Sequence, residues 1–124
     1  MDREILESVG IDYGEAIERF SGSVDLFESF LKELTTVNVL AALQKSLTEG
    51  DVINAFRVAH TLKGNFGNLS IKPLYEVVSP LVEALRSENM LEAQKLYIEL
   101  EKEYVIVAIT CLAISKGAWY DLFF

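Results

Sequence analysis

The chain has one histidine, one cysteine, one tryptophan and two prolines among its 124 residues. A single cysteine, Cys111, rules out an internal disulfide and gives no argument for an oxidising compartment. One histidine and one cysteine, far apart in sequence, make no zinc-type ligand set. Basic residues are few: 11 Lys and Arg against 19 Asp and Glu leave a net charge of −8. That balance disfavours nucleic acid, whose phosphates need a basic footprint, and it disfavours anionic lipid surfaces. There is no glycine-rich nucleotide loop and no P-loop, and no room for an ATP-binding catalytic domain. The acidic side chains are scattered as solvated faces, without a paired-carboxylate signature. The longest apolar run, Tyr104 to Ile114, is short of the roughly 20 residues a transmembrane helix needs, and Lys116 and Asp121 interrupt any extension. Met1-Asp2-Arg3-Glu4 lacks the basic-then-apolar order of a signal peptide, so the cytoplasm is the expected compartment. Strand-period segments, repeats, low-complexity tracts and linkers are absent as well.

What is present is apolar and helical. Hydrophobic residues make up 51% of the chain, enough for a single well-filled core in one domain. Asp2 to Val9 reads as a short amphipathic helix stopped by Gly10, and Asp12 with Glu15 resembles a capping pair for a helix from about Tyr13 to Phe20. Ser23 can cap the next segment, where Leu26, Phe27, Phe30, Leu31 and Leu34 recur at helical spacing. Thr35-Thr36-Val37 contains no true breaker, so this helix is expected to continue through Leu40, Leu43 and Leu47 to Thr48. Gly50 and Asp51 mark a stop and a new cap, and the following helix runs from about Val52 to Leu69. Pro73 suits the start of another helix, carrying Leu74, Val77, Val78, Leu81 and Leu85, which Pro80 is expected to kink. Asn89 with Glu92 opens a last long helix. The fold class expected is all-α: an antiparallel four-helix bundle with short additional N-terminal helices as a lid. Residues 1–22 would hold the short helices, 23–115 the bundle and 116–124 an apolar tail.

The histidine sits in the segment on which the chain turns. From Ala59 to Leu69, a helical reading at about 3.6 residues per turn separates two faces. Ala55, Val58, Leu62, Phe66 and Leu69 form an apolar stripe. His60, Lys63, Gly64 and Gly67 lie roughly opposite. Two glycines inside a helix cost about 1 kcal/mol each relative to alanine, and both fall beside the histidine, where they leave open space around the imidazole. An exposed imidazole can act as a nucleophile and carry a covalent adduct. A phosphoryl group there would present oxygens that Lys63 could neutralise.

Plainer readings stand next to these. A lone histidine is often structural, and an isolated Lys63 is an ordinary solvated lysine. Gly64 and Gly67 would equally let a neighbouring helix pack closely. Phe56, one turn before His60, is either an edge-of-core residue or an apolar docking contact beside a reactive group. Asn68-Leu69-Ser70 matches a glycosylation sequon, which a cytoplasmic helix makes irrelevant.

The run His60-Thr61-Leu62-Lys63-Gly64, followed by Gly67, resembles the core motif of the histidine-containing phosphotransfer (HPt) domain family. The resemblance takes in Gly50-Asp51 before the helix and Leu81 to Arg86 after it, and weakly Gly10-Ile11-Asp12, so that it spans about residues 10–103. Members often have a glycine where this chain has Ser70, and Pro80 is a second departure. The resemblance implies a phosphoryl carrier, not an autonomous enzyme, in a multi-step two-component phosphorelay. His60 would accept a phosphoryl group, through Nε2, from the aspartyl phosphate of a receiver domain and pass it on. Lys63 would be the charge partner, and Phe56, Gly64 and Gly67 would face the receiver. No cofactor of its own is implied, since Mg²⁺ is expected on the partner receiver. Implied partners are response-regulator receiver domains and a hybrid sensor histidine kinase, without nucleic acid or membrane; the sequence leaves the oligomeric state open, with a monomer favoured.

A non-catalytic helical adaptor is the alternative, binding through the same face or through the apolar C-terminal tail. That tail, which the resemblance does not cover, has three readings: it folds back onto the core, meets a partner or second copy through an exposed patch, or anchors to a membrane.

Overall fold

The computed structural model describes residues 2–115, so the expectations for the tail, 116–124, lie outside the described residues. Seven helices follow in order among them: α1 (Arg3–Ser8), α2 (Tyr13–Arg19), α3 (Val24–Thr36), α4 (Ala41–Glu49), α5 (Val52–Asn68), α6 (Lys72–Arg86) and α7 (Met90–Ser115). The starts follow from side-chain caps. Asp2, Asp12, Ser23 and Asp51 each accept from the backbone N–H three residues on, and Asn89 does the same for Glu92. Each cap satisfies a donor that the first turn leaves unpaired and is worth about 1 kcal/mol. Gly50 ends α4 at φ +70°, a left-handed position that glycine takes without a Cβ penalty.

The bundle has four sides. The α3/α4 unit, α5, α6 and α7 close around the core, with α5 between α4 and α6, and α7 between α6 and α3. Three-residue connections at 69–71 and 87–89 turn the chain straight back. Phe27 and Leu31 of α3, Leu43 of α4, Phe66 of α5, Leu74 and Leu81 of α6 and Leu100 of α7 are fully buried. Each such side chain contributes about 1.5–3 kcal/mol of transfer free energy. α6 runs through Pro80 as one helix.

One expected element is divided. The helix from Ser23 does not continue to Thr48: α3 stops at Thr36, and Val37 is extended at φ −102°, ψ 140°. The cause has two parts. Thr35 and Thr36 turn their hydroxyls back onto the Leu31 and Lys32 carbonyls, which weakens the helix locally. The Tyr104 hydroxyl, from α7, then lies 2.9 Å from the Leu34 carbonyl and 2.8 Å from that of Val37. The break is thus supplied with a donor from 70 residues away.

The short helices close over the α5–α6 connection. Leu6, Ile11 and Ala16 are buried, and Ile11 pairs with Ile71 as an isolated antiparallel bridge. Asp12 N–H donates to the Ser70 carbonyl at 2.9 Å and Lys72 N–H to that of Gly10 at 3.0 Å. On α7 the apolar run is split: Val107 and Cys111 are buried, while Val105, Ile106, Ile109 and Leu112 are exposed. Burial pushes the Cys111 thiol up to about 12. Among the described residues no helix is long and apolar enough to cross a membrane.

Candidate functional site

α5 presents the site because its other face is committed to the core. Ala55, Ala59, Leu62 and Phe66 are buried, with Leu69 beyond the helix end, whereas Val58 is only partly so. The buried stripe is therefore centred nearer Ala59 than the spacing implied. His60, one residue on, is exposed.

Four features surround it. Phe56 is half-buried, and its ring lies 5.9 Å from the imidazole, centroid to centroid, at 35°. The Arg86 guanidinium, at the C-terminal end of α6, stands 5.0 Å from the Phe56 ring. Gly64 is open: a Cβ there would meet nothing within 4 Å. Lys63 lines the same groove, of about 460 Å³, as His60 and Gly64.

Gly67 differs from Gly64. The ring of Tyr75, reaching across from α6, would lie 3.3 Å from a Cβ at that position. Gly67 is thus where a neighbouring helix comes close, and the opening beside the imidazole is made by Gly64. The Tyr75 ring also carries the ammonium of Lys63 over its face, 5.7 Å from the centroid.

The far end of the groove is tied by Glu15 of α2. Its carboxylate accepts from Lys72 Nζ at 3.0 Å, Ser70 Oγ at 2.9 Å and Arg19 at 3.2 Å. These donors, Lys72 first, hold the carboxyl down at about 2. The Glu15 side chain therefore does not turn back to close its own capping pair, although Asp12 caps α2 as expected. Ser70 itself sits at φ +53° and is buried. Glycine would adopt that left-handed backbone without a Cβ penalty, and the serine that takes it here donates its hydroxyl to Glu15.

The sequence pattern does not single out Tyr75, Arg86 or Glu15 as site residues. Tyr75 carried one usable signal: it is an aromatic lying off the apolar stripe of its own helix. Arg86 has only its place at the end of the Leu81 to Arg86 stretch that the resemblance takes in, and Glu15 only its place in a capping pair, and charged residues at helix ends are common. Among the described residues no cluster of metal-ligating side chains occurs.

Comparison with known families returns the Hpt domain, whose family model matches residues 25–106. No curated protein and no solved structure matches the chain. The matched span includes α5 with His60 and runs from within α3 into α7, leaving α1 and α2 outside. With two-thirds of its length covered and an all-helical bundle to hold the motif, the chain belongs to the Hpt domain family of histidine phosphotransfer modules.

Proposed function

We propose that this chain carries a phosphoryl group on His60 within a multi-step two-component phosphorelay in the cytoplasm. The observation that carries the reading is the exposed imidazole on α5 with open space at Gly64 beside it. Transfer needs the acceptor and donor to meet in line, with reacting atoms about 3–3.5 Å apart. A side chain at position 64 would stand in the way of a receiver's approach. Nε2 of neutral His60 forms the N–P bond as the aspartyl O–P bond breaks, and the receiver's carboxylate leaves with the bonding pair. Passing the group on reverses these steps with a second receiver. Lys63 neutralises phosphoryl oxygens during transfer, and Phe56 offers apolar contact at the edge. The acidic pocket and Mg²⁺ belong to the receiver. The chain is a carrier acting as a monomer between receivers, one of them on a hybrid sensor kinase.

The test uses receiver domains charged with labelled phosphoryl in the presence of Mg²⁺. Wild type should take up label as an acid-labile, base-stable adduct, and His60→Gln should take up none. Equal labelling of the two rejects the assignment. The adaptor reading has one observation in its favour, the exposed Val105, Ile106, Ile109 and Leu112 on α7. It would be preferred if a partner bound wild type and His60→Ala alike without any phosphoryl transfer.

A further inference from the structure

The two groups assigned to work together on α5 each lie against a different aromatic ring. The His60 imidazole is tilted against Phe56, one turn toward the helix N-terminus. The Lys63 ammonium is over Tyr75, whose ring rests on Gly67, one turn toward the C-terminus. The Tyr75 ring and a phosphoryl group on His60 are alternative partners for the one ammonium. Tyr75 is also unusual on its own helix: Leu74, Val78, Leu81 and Leu85 are buried, while this ring stays 40% exposed on the groove wall. The bare backbone of Gly67 is what gives it a place to lie.

We infer that Tyr75 is a resting seat for Lys63, a positioning residue whose ring competes with the phosphoryl group for the one ammonium. This inference rests on the reading of His60 as phosphoacceptor. The unphosphorylated chain makes the cation–π contact, and the chain in transfer gives it up. A contact present only in the ground state slows the step by its own free energy. For an exposed cation–π pair that is a factor of about two to five. The ring therefore restrains phosphoryl uptake while keeping the lysine close.

The experiment needs no receiver. Phosphoramidate is a small donor: Nε2 of His60 forms the N–P bond, the donor's P–N bond breaks, its protonated nitrogen leaves as ammonia with the bonding pair, and the imidazole Nδ1 proton passes to solvent. Initial loading rates are followed by phosphorus NMR. Tyr75→Leu, which keeps bulk on Gly67 without a π face, should load about two- to fivefold faster than wild type. Tyr75→Phe restores the ring and should return the wild-type rate. In a Lys63→Met background, Tyr75→Leu should change nothing. Tyr75→Gln is measured in parallel, so that a folding defect in one variant leaves the comparison intact.

Loading at or below the wild-type rate in both non-aromatic variants overturns the seat. So does an equal acceleration in the Lys63→Met background, which would mark a structural effect of the ring on α5. If wild type loads, His60→Gln does not, and the Tyr75 variants match wild type, only the seat falls. If wild type takes up nothing, or His60→Gln takes up as much, the phosphoacceptor reading falls and the seat with it.

Discussion

The hydroxyl of Ser70 donates to Glu15 across 2.9 Å, joining two side chains 55 residues apart in sequence. Lys72 and Arg19 converge on the same carboxylate. Through this group α2 grips the left-handed residue just beyond the end of the histidine helix and the first turn of α6. The N-terminal helices thus fasten the α5–α6 connection, although the Hpt match begins after them.

Glu15 makes that fastening pH-dependent. Its carboxyl is held at about 2 in the folded chain against an ordinary 4.5. A group with a lowered folded pKa adds stability above its unfolded pKa and loses it as pH falls through the folded one. Wild type should therefore melt higher than Glu15→Gln at neutral pH, and the gap should shrink from about pH 4.5 and close near pH 2. Thermal melts by circular dichroism across that range check it. A gap that stays constant with pH would mean the carboxylate's charge contributes nothing.

Much of this arrangement was legible from local pattern. Asp12, Ser23, Asp51 and Asn89 announce helix starts because capping is a matter of a few neighbouring residues. His60, Lys63 and Gly64 could be placed on one face by counting turns, since the core-facing residues of α5 leave only one side free. Relations between helices were not legible. Tyr75 covering Gly67 depends on how α6 lies against α5, and one sequence holds no trace of that register. The division of α3 from α4 is of the same kind. Threonine pairs and valine weaken a helix only slightly, and the hydroxyl that stabilises the break arrives from α7.

That hydroxyl gives the second prediction. Tyr104 is 8% exposed, and its proton is shared between the Leu34 and Val37 carbonyls. Burial raises its pKa, in keeping with a neutral donor. Tyr104→Phe keeps the ring and removes the donor, leaving the buried Leu34 carbonyl short of a partner where α3 ends, while the Val37 carbonyl can turn to water. An unsatisfied buried acceptor costs about 1–3 kcal/mol. Urea unfolding should show a loss of that size, with the slope against denaturant unchanged. A loss below about 0.5 kcal/mol would mean that water replaces the hydroxyl without penalty.

Gly64 separates fold from function most cleanly. A Cβ there meets nothing within 4 Å, and the residue lies in the interior of α5. Helix propensity alone should then make Gly64→Ala more stable, by up to about 1 kcal/mol. If the space exists so that a receiver can bring its aspartyl phosphate onto His60, the added methyl displaces the docked partner. A displacement of even about 1 Å can lower a transfer rate a hundredfold. The expected outcome is a chain that melts higher and exchanges phosphoryl with receivers some tenfold to a hundredfold more slowly. Loading from phosphoramidate, which needs no docked protein, should change far less. Gly67→Ala is the comparison: its Cβ would press on the Tyr75 ring at 3.3 Å, so its stability gain should be smaller than that of Gly64→Ala. Stability and receiver transfer rising together in Gly64→Ala would show that the open space is incidental to the partner's approach.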